Sequence, residues 1–455
     1  MFAMIPMLMW LGLFTGLGYT VATGSEHIGA AVIALVAAAV FTGVSKRVAN
    51  DQDREWLPNL IMVGLAAKFA MSWLRWWVLV DYYRGSGDAV GYHGNASRTL
   101  VYMWRSFDPP DLQIGTEAMN GITGLVYVPY IPSLLGGFFE FAILAFIGQI
   151  FMYAAFRTTV VSRRLKLYAF AVFLVPNVVY WPSSIGKEAI MTLGLGVAAY
   201  GIAKLLATGS ITSAFFIGAG MVISGILRPH VSAMQAAAAV GALLFAKGGV
   251  GVARMPGKRL VLLSMAGVGL AVIGIIAANS FGIALEDAAA VEGQVDALVT
   301  SVEDQTSKGG SQVEGGFITS PAQFPEAAVR VLFRPLPNEA NNPPAFAASL
   351  EGAVLLLILI WKLPAIFRRG FRIRRDPYMM FCLLFTIGFV IAFSAFLNLG
   401  LMARERSQIL PFVLALLVGL GFGPPDAEQE QREIDEERRI EGIDELLVGA
   451  PLPVR

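Results

Sequence analysis

The sequence predicts an all-α integral membrane protein, a polytopic bundle of about twelve transmembrane helices with two large external segments carrying amphipathic helices. Three observations predict it. Hydrophobic residue types make up 56% of the 455 residues, charged types only 15%, and the mean hydropathy is +0.64. Soluble domains carry about 25% charged residues, so this chain cannot cover a water-facing surface of its size. The apolar residues also come in long continuous runs. Backbone polar groups cannot stay unpaired in lipid, and continuous runs lack the alternation of a β-barrel, so they read as helices. A soluble enzyme, a disordered chain and a coiled coil are excluded. The net charge of +1 gives no reason to expect a nucleic-acid partner. The single cysteine, Cys382, rules out an intrachain disulfide and a Cys-based metal site.

The runs lie near 3–22, 27–45, 57–80, 136–156, 167–182, 189–206, 211–227, 230–246, 260–280, 346–366, 378–397 and 408–423. Together, residues 1–423 form the transmembrane domain. Residues 424–455, rich in Glu, Asp and Arg, read as a charged cytoplasmic tail. The first run lacks a charged n-region and reads as a retained helix rather than a signal peptide. Taking the loops alternately, 22 Lys and Arg fall in one set and 10 in the other. The positive-inside rule makes the first set cytoplasmic, with both termini inside and the segments 81–135 and 281–345 outside. In the second of these, Leu285, Ala288, Val291, Val295, Leu298 and Val302 recur at helical spacing, and a short helix is expected from Pro325 to Phe333.

Inside loops are basic clusters such as RRGFRIRR at 368–375, which set topology. Outside segments instead hold isolated charges beside Gly, Pro and aromatic residues, and five of them carry candidate chemistry. In GSGDAVGYHG, residues 85–94, glycines flank Asp88, and a helix would put Asp88 and Tyr92 on one face, with His93 beside them. A carboxylate there could deprotonate a hydroxyl nucleophile or bind a metal held by diphosphate. The plainer reading is a helix N-cap at Asp88. In WPSSIGKEA, 181–189, Ser183 or Ser184 is expected to cap a helix whose first turn holds Lys187 and Glu188; ionisable residues near the bilayer are costly unless paired. Arg228-Pro229-His230 joins two spans, and Arg suits bidentate phosphate recognition. LFRPLPNEANN, 332–342, brings Arg334 and Glu339 just before one span. MARERSQILPF, 402–412, brings Arg404, Glu405 and Arg406 just before the last. The chain holds no GxxxxGK[ST], dinucleotide fingerprint, HExxH or GxSxG. His27, His93 and His230 do not make a metal cluster by spacing. Acids, several cations and a hydrophobic wall on one face of the membrane suit a lipid-linked phosphate.

The strings GDAVGYH, YWPSSIGKEAIM, LRPH, LFRPLPNEA and RERSQILPF resemble multi-span proteins of bacterial exopolysaccharide loci, the GT-C-type glycosyltransferases and Wzy- and EpsG-like polymerases. The resemblance spans roughly residues 57–423. It implies a sugar or glycan donor on a polyprenyl phosphate or diphosphate, a glycan or lipid acceptor, and work at the outer face of the bacterial inner membrane beside other polysaccharide-assembly proteins. It implies Asp88 as base or metal ligand, so a divalent cation is the one cofactor it allows. Glu188 stands second as catalytic acid or base. Tyr92, His93, Lys187, Arg228, His230, Arg334, Glu339, Arg404 and Arg406 would bind substrate. In the GT-C pattern the acid follows the first span, whereas Asp88 follows the third. The alternative expectation is a flippase or transporter of the same lipids, with the same cations and no base.

Overall fold

The structure is a computed structural model. It describes residues 4–24, 27–158, 163–210, 212–245, most of 267–279, 288–306, 312–340, 342–371 and 373–422. Among the described residues the protein is all-helical, and its one extended contact is an isolated antiparallel bridge between Gln312 and Asn398. The helices, in chain order, are α1 (Met4–Thr23), α2 (Ile28–Val48), α3 (Leu57–Trp77), α4 (Asp88–Asn95), α5 (Val101–Arg105), α6 (Thr116–Val126), α7 (Leu134–Arg157), α8 (Arg163–Leu174) and α9 (Pro176–Tyr180). They continue as α10 (Lys187–Thr208), α11 (Ser213–Gly225), α12 (Pro229–Phe245), α13 (Ala288–Thr306), α14 (Phe324–Phe333), α15 (Pro343–Gly370), α16 (Pro377–Phe393) and α17 (Leu399–Leu416).

Among the described residues, six helices are long and apolar enough to cross a membrane: Met4–Ala22, Ile28–Val48, Leu57–Tyr82, Leu134–Arg157, Lys187–Thr208 and Ala345–Gly370. Shorter apolar helices include α11, α12 and α16. The expected run 260–280 lies largely outside the described residues, as does the tail 424–455. The segment 81–135 is mostly helical, through α4, a π-helical turn, α5 and α6. The two amphipathic helices expected in the second segment correspond to α13 and α14.

The site is positioned from the centre of the bundle. α10 is the most enclosed of the six candidate spans, and it crosses α7 and α11 at backbone contact. A Cβ on Gly148 would collide with the Thr192 carbonyl, and one on Gly196 with the Gly148 carbonyl. On the opposite face, a Cβ on Gly220 would strike Ala198 N and one on Gly201 would meet Ile217 N at 2.7 Å. Small residues at such crossings let backbones approach, which is how helices gain packing energy where lipid removes the hydrophobic drive. The depth and rotation of α10, and so of Lys187 and Glu188 at its start, are thereby fixed.

Two expected spans differ. The run 167–182 is not one helix. Pro176 has no N–H for the Val172 carbonyl and pushes Val175 out of the helical region, so α8 stops at Leu174 and α9 restarts at Pro176. The last span begins at Leu399 rather than 408, because Asn398 Oδ1 accepts from Gly400 N and Leu401 N and caps the helix there. Arg404, Glu405 and Arg406 are therefore inside a helix, not in the loop before it.

Candidate functional site

Four of the five sequence segments meet. A cavity of about 440 Å³ is lined by Asp88, Gly91, Tyr92 and Asn95 of α4, Thr116 and Asn120 of α6, Lys187 of α10, Arg228, and Leu401, Arg404 and Glu405 of α17. Its charges form one chain of ion pairs. Arg404 Nη1 donates to Asp88 Oδ2 at 3.0 Å, and Arg404 Nε lies 2.7 Å from Glu188 Oε1. Arg228 Nη2 reaches the same Glu188 oxygen at 3.2 Å. Both Arg228 Nη atoms also engage Glu405, Nη2 donating to Oε1 at 2.6 Å. Gln408 Nε2 donates at 2.5 Å to Glu405 Oε2, the oxygen that Arg228 Nη1 also engages. Lys187 Nζ stands apart from this chain and donates to Thr116 Oγ1 at 3.2 Å.

Exposure separates the members. The Glu188 side chain is 2% exposed and that of Arg228 14%, whereas that of Asp88 is 61% exposed. Glu188 does not line the cavity. It is the buried hub that orients two arginines, and a substrate hydroxyl would have to pass those arginines to reach it. Asp88 is the accessible carboxylate. It is not the N-cap: Gly87 occupies that position without a side-chain bond, Asp88 is the first helical residue, and its carboxylate goes to Arg404. Tyr92, one turn on, shares its face and lines the cavity as the four-residue spacing implies. Burial, then the Asp88 charge, push the Tyr92 hydroxyl above its ordinary range, which keeps it protonated and able to donate a hydrogen bond.

The other expected ligands go elsewhere. His93 turns away and bonds through Nδ1 to the Tyr127 hydroxyl at 2.8 Å; burial holds its pKa below the ordinary value, so it is neutral. His230 is absent from the cavity lining, and its ring sits 6.3 Å from that of Phe393. Arg334 and Glu339 pair with each other, Nε to Oε2 at 3.0 Å, and Leu336 N also donates to Glu339. Burial pushes the Glu339 carboxyl up, but these bonds outweigh it and hold it below the usual range. Neither lines the cavity. Arg406 is fully buried and its Nη1 donates to the carbonyls of Leu332 and Arg334, so it pins the α14 end to α17. Neither Ser183 nor Ser184 caps α10: Gly186 is the N-cap, and Ser183 Oγ donates back to the Val179 carbonyl.

No protein-family model, curated protein or solved structure matches this chain.

Sequence reasoning missed Thr116 and Asn120, which lie one turn apart on α6 and face Lys187 and α4; their four-residue spacing was the available signal. It also missed a second buried polar system. Lys68, fully buried on α3, donates to the carbonyls of Val178 and Val179, and Arg75 donates to those of Tyr180 and Trp181. Gln149 donates to the carbonyls of Val172 and Val178, and Glu351 accepts from Asn177 N at 2.7 Å. Gln149 and Glu351 serve backbone groups at the Pro176 break, and Lys68 and Arg75 serve carbonyls left open where the short α9 ends. Among the described residues no group of three or more His, Cys, Asp or Glu side chains could hold a metal ion. The two carboxylates that line the cavity, Asp88 and Glu405, are each bound to an arginine.

Proposed function

We propose that the chain is a membrane glycosyltransferase or polysaccharide polymerase. It moves a sugar or glycan from a polyprenyl phosphate or diphosphate to an acceptor hydroxyl at the outer face of the bacterial inner membrane, in exopolysaccharide or cell-envelope glycan synthesis. The twelve-span count, with both termini cytoplasmic, belongs to this reading. The observation that carries it is the exposed Asp88 carboxylate resting on Arg404, in a polar cavity that also presents Lys187 and Arg228.

Arg228 is committed to Glu405, but Arg404 shares its charge between buried Glu188 and exposed Asp88. A donor phosphate entering beside Lys187 competes with Asp88 for Arg404, and phosphate forms the stronger set of charge-assisted bonds. Asp88 is released as the phosphate arrives. The acceptor oxygen then attacks the anomeric carbon with inversion and gives its proton to Asp88. The bond from that carbon to the phosphate oxygen breaks, and the departing phosphate keeps the electron pair against Lys187 and Arg404. The Tyr92 hydroxyl donates to the phosphate or the sugar. Glu188 and Glu405 keep the arginines in place when the phosphate leaves.

A flippase for the same lipids is the second reading, and the α8–α9 break favours it, since discontinuous helices mark transporters. Purified protein in liposomes with a synthetic polyprenyl-linked sugar donor separates the two. The transferase reading expects product from wild type; the flippase reading expects no product and donor crossing the bilayer.

A further inference from the structure

The charged cavity has a larger, apolar neighbour. A second cavity, of about 690 Å³, lies between α10, α11, α12 and the residues near 270. Its lining is apolar throughout and includes Leu112, Ile114, Leu206, Met221, Ile226 and Leu243. Val222 and Ile276 line it too and are well exposed, so it opens sideways, away from the bundle centre.

The two cavities share a wall. Thr116 and Arg228 line the charged one, while Leu112 and Ile114, and Gly225, Ile226 and Pro229, line the apolar one. The two segments of this wall are tied by Gly115 N donating to the Ile226 carbonyl at 2.9 Å. Gly115 carries a φ of 97°, a backbone that only glycine adopts without strain, which lets the loop approach Ile226. Within two residues on each segment the lining therefore changes from a polar or charged side chain to hydrocarbon.

We infer that the apolar cavity holds the hydrocarbon tail of the same lipid phosphate whose head occupies the charged cavity, so that the 112–116 and 225–229 segments form the threshold between head and tail. The inference rests on the reading of the charged cavity as a phosphate site. Its occupant follows from continuity: a chain attached to a ligand at Lys187, which contacts Thr116 of this wall, can pass directly over it into an apolar, laterally open channel. A volume of about 690 Å³ is within the range of ligand cavities and takes only the head-proximal part of a long chain, with the remainder in the bilayer.

The test uses purified full-length protein in nanodiscs and a long-chain polyprenyl phosphate, without sugar, that carries a diazirine in its head-proximal isoprene units. Photolysis and peptide mass spectrometry should place the adduct on α11 or α12. Unlabelled polyprenyl phosphate should compete it away, while phosphatidylglycerol should not. Gly218 lines the channel, and a Cβ there meets nothing within 4 Å, so Gly218→Phe starts a side chain into open space. That variant should cut adduct yield roughly tenfold, the loss expected if about two buried CH₂ groups are displaced. Equal competition by phosphatidylglycerol would mean that ordinary membrane lipid fills the channel and would overturn the inference, as would adducts confined to other helices. Binding is read without catalysis: a protein that gives the expected adducts but transfers no sugar supports the channel and refutes the transferase reading.

Discussion

Two of the regions where this bundle buries ionisable side chains are built to opposite ends. Around the Pro176 break, Lys68, Arg75, Gln149 and Glu351 converge from three helices on backbone groups that the broken helix leaves open. Around the start of α10, Asp88, Glu188, Arg228, Arg404 and Glu405 converge on one another and on a cavity. The first system pairs charge with carbonyls and N–H groups that can never leave. The second pairs charge with charge, and one partner, Asp88, is mostly exposed and can be exchanged. A charge within the membrane region is thus not a functional site merely by being there. What distinguishes a site is access and a replaceable partner.

The largest expected effect tests the buried half of the charge network. Arg228→Met leaves Glu405 and Glu188 with one cation fewer, and breaking a buried pair from one side costs about 3–5 kcal/mol. Thermal unfolding in detergent should drop sharply. Adding Glu405→Gln should recover much of the loss, because it removes the stranded charge; no recovery would mean that Arg228 matters for packing alone.

Lys68→Met comes next. It removes two hydrogen bonds from a buried charged donor to the Val178 and Val179 carbonyls, which keep Gln149 and Ser183 as donors, and a hydrogen bond to a charged group is worth about 1.5–3 kcal/mol. Lys187→Met should leave stability nearly unchanged, since its bond to Thr116 is solvent-accessible, yet weaken lipid phosphate binding by roughly 10- to 150-fold. Equal stability losses in both variants would erase the distinction between the two regions.

A smaller effect sharpens the outward placement of the site. Phe107, 95% exposed in the segment after α5, becomes a labelling position as Phe107→Cys, once buried Cys382 is replaced by alanine. An impermeant thiol reagent should label it in intact cells; labelling only after lysis would put the segment, and the cavity beside it, inside. The smallest effect concerns His93. Burial lowers its folded-state pKa, so the unfolded chain binds the proton more readily. Its contribution to stability is complete above the unfolded value of about 6.5 and is lost as pH falls below it. His93→Gln should reduce the drop in melting temperature between pH 7.5 and pH 5.5, and an unchanged drop would assign that loss to other groups.

Much of this was legible in the sequence. Apolar runs located the helices, and the four-residue step from Asp88 to Tyr92 put both on one face. The side-chain geometry was not legible. Nothing local distinguishes Arg404, which faces the cavity, from Arg406, which is buried against the Leu332 and Arg334 carbonyls; two residues along a helix turn the side chain through about 200°. Arg334 and Glu339 read as a site because both are ionisable, yet their five-residue spacing across a turn lets them satisfy each other. The Pro176 break was written in the sequence, but the residues serving it lie far away, as with Lys68, which is 110 residues from Val178.

The central claim is that Asp88 is an exchangeable partner of Arg404 and the base for transfer. Asp88→Asn tests it most directly, because the amide keeps the shape of the carboxylate but loses its charge and its capacity to take a proton. Donor affinity and single-turnover transfer should be measured together in liposomes. The account predicts affinity equal to or tighter than wild type, since Asn competes poorly for Arg404, with transfer reduced about 10²- to 10⁴-fold. Transfer at the wild-type rate, or affinity and rate falling together, would contradict it.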